Sequence, residues 1–513
     1  MVSSTMRIHI INPANDAPSY HSAEIYAAVG APGRTPVADL AIATIAAFVP
    51  QDWEISLSDE AILPVDLDRV GVGVDIVAIT GKVSQRNRMI ALAEAARRHG
   101  ATVLIGGPYA SLNPEQMRPH ADILVCGEVE EIAHGLFTDI AAGQWRDRYE
   151  GTRPDLRTSP IPRWDLYPNH GATMGTLQTS RGCPFQCDFC DVIQYLGRKQ
   201  RHKDVSQVIA ELDVLYHHGY RQIFLADDNF TVYRQQARAL LAALAEWQQA
   251  RRSDPVYFMT QVSIDIARDS DLMRACVAAG LNTVFIGVET VNTDSLREAG
   301  KKQNLHQDIH AALATILGHG IAVHAGIVVG FDADQADIFD RLRGFIQDSP
   351  IPLLAIGSLV APPGTPLYDR LRAEGRLDGP DWKNANGHTT NIIPRHMSRV
   401  ELEQGVAQLC ADVYAPRALE QRIDNFLAAY GGGVAPTAEP QPMGLPESEK
   451  PLLKWLSGQG MAEKAMIMRV LRKATFRPDA QGHILTFLSR YAQIRYMLKA
   501  NEAGSEADSA AAA

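Results

Sequence analysis

Cysteine is scarce in this chain, with six residues in 513. So few in so long a chain exclude a disulfide-built scaffold and favour a reducing, cytoplasmic setting. No apolar run approaches the roughly 20 residues of a membrane-spanning helix. Met1 to Arg7 lead into no long apolar segment of the kind a secretory leader carries. Basic charge is also in short supply: 49 Lys and Arg stand against 59 Asp and Glu, a net charge of −10. That balance excludes general nucleic-acid binding. What is present is a globular composition, 46% hydrophobic and 21% charged, long enough for about two to four domains.

Three of the cysteines fall within one stretch, Thr179 to Asp191, as Cys183, Cys187 and Cys190 in the spacing C-x3-C-x2-C. Three thiolates this close converge on one inorganic centre. Zinc or a four-cysteine iron–sulfur site needs a fourth protein ligand, whereas Cys126, Cys276 and Cys410 are isolated and His202 lies in a basic run. A cubane on three cysteines keeps one iron open to a substrate. The competing readings are three unrelated cysteines or a zinc knuckle completed from a distance. The stretch resembles the cluster loop of the radical S-adenosylmethionine enzymes. The resemblance implies a 4Fe–4S cluster whose open iron chelates the amino and carboxylate groups of S-adenosylmethionine, with Phe189 beside the adenine.

Residues 1–145 alternate strand-like and helical patterns, which predicts a doubly wound parallel sheet. Thr80-Gly81, Gly106-Gly107-Pro108 and Gly127-Glu128 end its strands, where such sheets bind ligands. Together with the cysteine loop C-terminal to it, this part resembles the cobalamin-binding domain that precedes many radical S-adenosylmethionine enzymes. Those strand-end residues are its candidate contacts; an unliganded flavodoxin-like domain is the alternative. The D-x-H-x-x-G motif that supplies a histidine to cobalt is absent, since Asp16 and His21 have the wrong spacing. The resemblance therefore implies a cobalamin without a histidine below the metal.

Residues 146–174 read as a proline-rich crossover, and residues 175–370 as a second alternation of six strands and intervening helices. That pattern resembles the partial βα barrel of the same superfamily, whose chemistry sits at the carboxyl ends of the strands. Asp227 and Asp228 end the second strand, where the family places a carboxylate on the methionine ammonium group; as a plain alternative, Asp228 caps a helix. Gln261 and Ser263 end the third strand, where ribose contacts are expected, and Glu289 ends the fourth, for ribose hydroxyls or an arginine. Cys276 and Cys410 are spaced as core residues. The basic run Tyr195 to Lys203 is either a cofactor contact or a solvated loop.

A helical extension is expected over 371–430, a Gly/Pro-rich linker over 431–451, a basic helical region over 452–500 and a disordered tail over 501–513. Between Pro451 and Lys499, nine basic residues face Glu463 and Asp479 alone, about +7 in an acidic chain. Ile484, Phe487, Leu488, Tyr491, Ile494 and Leu498 share one helical face. This region is read either as a cap on the barrel or as a surface helix drawn to anionic lipid at the inner membrane.

The order of parts resembles the cobalamin-dependent radical S-adenosylmethionine methyltransferases, with the hopanoid C-2 methylases nearest. The resemblance implies two molecules of S-adenosylmethionine, one methylating cobalamin and one yielding a 5′-deoxyadenosyl radical, and a reducing partner such as flavodoxin or ferredoxin. The substrate implied is a lipid-like or other small molecule with an unactivated carbon. A cyclase or coupling enzyme, and a cobalamin-binding sensor without activity, are the alternatives.

Overall fold

The computed structural model describes residues 5–20, 23–305, 307–378, 387–431 and 447–511. The chain divides into two compact units. One comprises residues 1–17, 32–184 and 191–220, and the other residues 18–31, 185–190 and 221–513. The division passes through the cysteine loop rather than through the crossover expected at 146–174.

In the first unit, β1 (Arg7–Asn12), β3 (Glu54–Asp59), β4 (Ile76–Thr80), β5 (Thr102–Gly106), β6 (Ile123–Cys126) and β7 (Arg148–Glu150) form a parallel sheet. Their order across it is β3-β1-β4-β5-β6-β7. All residues of β4 are buried, as the unbroken apolar run Ile76–Ile79 requires of a strand covered on both faces. Helix Arg86–Arg98 covers one face through Met89, Leu92 and Ala96. The order reverses between β1 and β4, a switch point at which doubly wound sheets open a crevice. A short strand, β2 (Thr35–Val37), pairs in parallel with β8 (Ala172–Leu177). A small hairpin joins β9 (Ser180–Arg181) to β10 (Arg201–His202).

The second unit holds β11 (Gln222–Leu225), β12 (Tyr257–Val262), β13 (Leu281–Glu289), β14 (Ala322–Val329) and β15 (Leu354–Ser358). Each lies parallel to the next in chain order, with helices Arg234–Gln249, Ser270–Ala278, Ile309–Gly318 and Ile338–Asp348 between them. Buried and half-buried residues alternate along β12 and β15: one face packs on the helices and the other lines the curled sheet. These strands agree with those read from the sequence to within a few residues. No helix among the described residues is long and apolar enough to cross a membrane.

Helix Arg399–Val413 starts at a capping box. Ser398 Oγ accepts from Glu401 N at 3.2 Å, and Glu401 Oε2 accepts from Ser398 N at 2.7 Å. Helix Pro416–Ala429 comes next, then helices Lys450–Ser457, Met461–Thr475 and Gln481–Ala511. Residues 432–446 of the expected linker lie outside the described residues. The tail expected to be disordered from Asn501 continues the last helix as far as Ala511. The face Ile484, Phe487, Leu488, Tyr491, Ile494 and Leu498 is core, each residue 5% exposed or less. Phe487 lies edge-on to Phe426 at 5.0 Å and near His324 of β14 at 6.2 Å. Tyr491 Oη donates to Tyr414 O at 3.0 Å. Many of the basic side chains are held within the protein as well: Arg469 and Lys473 by Glu420, Arg477 by Asp479, and Arg495 by Glu463. The region is a cap, and the lipid-seeking face read from the sequence is not exposed.

Candidate active site

The strand-end residues of the first unit come together at the carboxyl edge of the sheet. Thr80 ends β4 and Gly106 ends β5, with Pro108 in the first turn of helix Gly107–Leu112. Tyr109 N donates to Gly81 O at 3.1 Å, fastening the two loops together. Gly107 has φ +90°, and a Cβ there would stand 2.4 Å from Thr80 Oγ1, so only glycine fits without strain. Gly106 is different: its added Cβ would meet nothing nearer than 3.5 Å.

Glu128, singled out with these residues, is held by two arginines. Its carboxylate accepts from Arg181 at 2.7 Å and from Arg201 at 2.7 Å, and Arg181 also reaches Glu130 at 2.6 Å. The arginines belong to β9 and β10, so this network fixes the hairpin flanking the cysteine loop. Within the basic run Arg201 is thus held by Glu128 and Lys203 by Glu211 at 2.5 Å, whereas Arg198 and Lys199 are exposed. Asp16 caps helix Arg86–Arg98, accepting from Asn87 N and Arg88 N at 3.0 Å each. His21 lies outside the described residues.

The cysteine loop comes after β8 and β9. None of the six cysteines is in a disulfide; Cys187 is buried, and Cys183 and Cys190 are half-buried. Cys183 N donates to Gly197 O at 3.2 Å, and Cys190 N to Cys187 O at 3.2 Å. On one side Asp188 N donates to Ala299 O at 3.1 Å, and on the other Asp188 O accepts from Leu367 N at 3.1 Å. Phe189, expected beside an adenine, stands edge-on to Phe331 at 6.0 Å and packs on a cluster that includes Leu359, Ala361 and Ile392. Cys276 and Cys410 are fully buried core residues, as their spacing predicts.

At the rim of the second unit, Asp227 is buried and Asp228 half-buried at the end of β11. The helix-cap alternative for Asp228 does not hold, because the next helix begins at Arg234 with Tyr233 at its cap. Ser263 Oγ accepts from Asn229 Nδ2 at 2.7 Å, and Gln261 O accepts from Phe230 N at 2.9 Å. These bonds tie the ends of β11 and β12 together and bring the four predicted residues to one edge.

Glu289 has φ +66°, alone among the described non-glycine residues in the left-handed region, where a bulky residue is held only by its surroundings. A register shift between Gly287 and Glu289 re-aims it. Its partner is a lysine rather than the expected arginine: Lys301 Nζ lies 2.6 Å from Glu289 Oε1. A Cβ at Gly287 would fall 2.2 Å from that same oxygen, so the glycine makes room for the pair. Burial opposes the Lys301 ammonium, but Glu289 and then Cys187 raise its pKa above the usual lysine range. Gln303 Nε2 lies 3.9 Å from Cys187 Sγ. Asn304 Nδ2 donates to Gly287 O at 3.0 Å and Val288 O at 2.9 Å. Lys301, Gln303 and Asn304 escaped the sequence reading, because a short polar run between two helices carries no periodic signal.

Three cysteines outside any disulfide on one short loop are a donor set suited to an iron–sulfur cubane. Behind Cys187, Gln303 Oε1 and Asn304 Oδ1 are buried with no protein partner, leaving acceptors for a bound group. The loop and rim therefore fit a cluster and a polar ligand beside it.

The model of the radical SAM superfamily matches residues 177–342, and that of a domain of unknown function matches residues 365–489. An uncharacterized methyltransferase of Synechocystis is 36% identical over 69% of this chain and 67% of its own length. The hopanoid C-2 methylase of Rhodopseudomonas palustris is 32% identical over 77% of this chain and 74% of its own. Among solved structures, the radical S-adenosylmethionine methyltransferase TsrM from Kitasatospora setae, with cobalamin and a [4Fe-4S] cluster bound, shares the fold. Its TM-score is 0.60 at 15% identity, over 98% of this chain and 100% of that one. With its cysteine loop following a strand of an α/β fold and with these relatives, the chain belongs to the radical S-adenosylmethionine superfamily, in its methyltransferase branch.

Proposed function

We propose that this methyltransferase carries cobalamin on its first unit and methylates an unactivated carbon of a polycyclic, lipid-like substrate of the hopanoid class. The similarity to the hopanoid C-2 methylase across three quarters of both chains is the observation that most supports this substrate class. The switch-point sheet with small residues at the ends of β4 and β5 supports the cobalamin. When bound, the cluster and S-adenosylmethionine supply a carbon-centred radical able to take hydrogen from such a carbon, and cobalamin supplies the methyl group. The protein's share is to hold and orient. Cys183, Cys187 and Cys190 bind the cluster; Asp227 or Asp228 holds the methionine ammonium group; Gln261, Ser263 and Glu289 face the ribose; and Phe189 supports the adenine. The reaction acts on a small molecule and draws its electron from a reductant, here a low-potential carrier such as flavodoxin or ferredoxin.

Anaerobic incubation of the full chain, its cluster reconstituted, with cobalamin, S-adenosylmethionine, hopanoid-containing lipid and a reductant such as dithionite should yield 5′-deoxyadenosine together with a methylated lipid. Gly106 supplies the control for cobalamin, because a Cβ there makes only ordinary contact with Val125 at 3.5 Å and the fold accepts it. Gly106→Leu should fold and keep its cluster but lose cobalamin, measured by absorbance after desalting. Retention of cobalamin by Gly106→Leu would sink the assignment of these strand ends.

A polycyclic hydrocarbon is scarcely available in water, so we place the enzyme at an anionic inner-membrane surface. The face that supports this is not the one read from the sequence. On helix Met461–Thr475 and just beyond it, Met461 is 80%, Met468 65% and Phe476 73% exposed. Spacings of seven and eight residues put them on one side, with the exposed Lys464 and Arg472 among them. Apolar anchors among cations suit an anionic bilayer, where each cation is worth on the order of 1 kcal/mol. Full-length protein should sediment with phosphatidylglycerol vesicles at low salt and less at high salt. The Met468→Glu/Phe476→Glu variant should stay in the supernatant while folding normally. Indifference of the wild type to these vesicles would remove the membrane from the proposal.

A further inference from the structure

Directly behind the cysteine loop runs Gly300 to Asn304, whose last three residues form a turn of 3-10 helix. Each polar side chain it sends forward engages the site. Lys301 is held by Glu289 at 2.6 Å, with both side chains largely buried. Asn304 binds two consecutive carbonyls at the end of β13, at 3.0 and 2.9 Å. Gln303 directs its amide N–H at Cys187 Sγ, 3.9 Å away, and its own backbone carbonyl is held by Gln307 Nε2 at 3.2 Å. Cys187 is the most buried of the three loop cysteines, 8% exposed, so water does not replace that donor.

We propose that Gln303 is a positioning residue that raises the reduction potential of the cluster through its N–H···S bond to Cys187. This rests on the reading of the three cysteines as cluster ligands. An electron added to an iron–sulfur cluster increases the negative charge on its sulfurs. A donor aimed at a ligand sulfur therefore stabilises the reduced state more than the oxidised one, and its loss lowers the potential. The donor class is an amide rather than water, so the effect is built into the fold and does not depend on substrate.

The test is a dye-mediated redox titration of the anaerobically reconstituted full chain, monitored by electron paramagnetic resonance of the reduced cluster. It compares wild type with Gln303→Leu and Gln303→Glu. At a solution potential that half-reduces the wild type, Gln303→Leu should show an about tenfold lower ratio of reduced to oxidised cluster, equivalent to ~59 mV for one electron. Gln303→Glu, which keeps the shape but replaces the donor with negative charge, should shift at least as far. Iron content should match the wild type in both. An unchanged midpoint in both variants at full iron content overturns the proposal. So does loss of iron in both, which would make Gln303 a support for the loop and nothing more. Wild type that takes up no iron overturns the cluster reading itself, and this assignment with it.

Discussion

Alanine at any one of Cys183, Cys187 or Cys190 abolishes cleavage of S-adenosylmethionine. The three thiols are the whole donor set on this loop, and among the described residues the other cysteines, Cys126, Cys276 and Cys410, are buried elsewhere as core. A cubane with two remaining ligands has no protein substitute for the third. Ligands that act as a unit fail as a unit, so each single variant should lose nearly as much activity as the triple variant. Wild type reconstituted without oxygen should hold about four irons per chain, and the triple variant should hold none in stoichiometric amount. The readouts are iron analysis and 5′-deoxyadenosine after reduction by dithionite. A triple variant that retained its iron and cleaved the cofactor would dismantle the functional reading at its centre.

Removal of Pro451–Ala513 leaves the second unit unable to fold stably. The sequence, taken alone, left this region as either a cap or a lipid-seeking surface helix; the structure makes it a cap. Ile484, Phe487, Leu488 and Tyr491 are fully buried, and each such side chain is worth about 1.5–3 kcal/mol when taken out of water. Together they approach the roughly 5–15 kcal/mol that separates a folded domain from its unfolded chain. The truncated protein should collect in the insoluble fraction or be digested rapidly by trypsin. Phe487→Ala gives the graded version: removing the ring from its place against Phe426 and His324 should cost about 3–5 kcal/mol, read as a lowered thermal midpoint. A truncated chain that melts like the full one would show the last helices to be an appendage.

The strands were legible because their signals are local. Ile76–Thr80 and Ala322–Val329 are β-branched or small apolar runs with turn residues at their ends, and they need no distant information to be read. The cysteine spacing is local too, so eight consecutive residues suffice to single out the three thiols proposed as cluster ligands. Asp227, Asp228, Gln261 and Ser263 could be named because a parallel α/β fold puts its chemistry at the carboxyl ends of its strands.

Other features could not be read this way, because their meaning depends on residues far along the chain. Glu128 looked like a ligand contact, but Arg181 and Arg201, 53 and 73 residues later, take up its carboxylate. The apolar stripe of the last helix has the same periodicity whether it meets lipid or protein; only Phe426, Tyr414 and His324 decide that it is core. The exposed face of helix Met461–Thr475 was likewise invisible, since exposure is a property of packing and not of composition.

By itself, then, the sequence determined the cluster loop, the two alternating α/β patterns and the chemistry their strand ends can carry, because each is encoded within a few consecutive residues. Only the tertiary structure decided which polar groups are taken up by partners within the fold, as Glu128 is by Arg181 and Arg201. Gln303 stands behind Cys187 across 116 residues of chain, and an electrostatic effect of that kind depends on distance and burial, which folding alone sets.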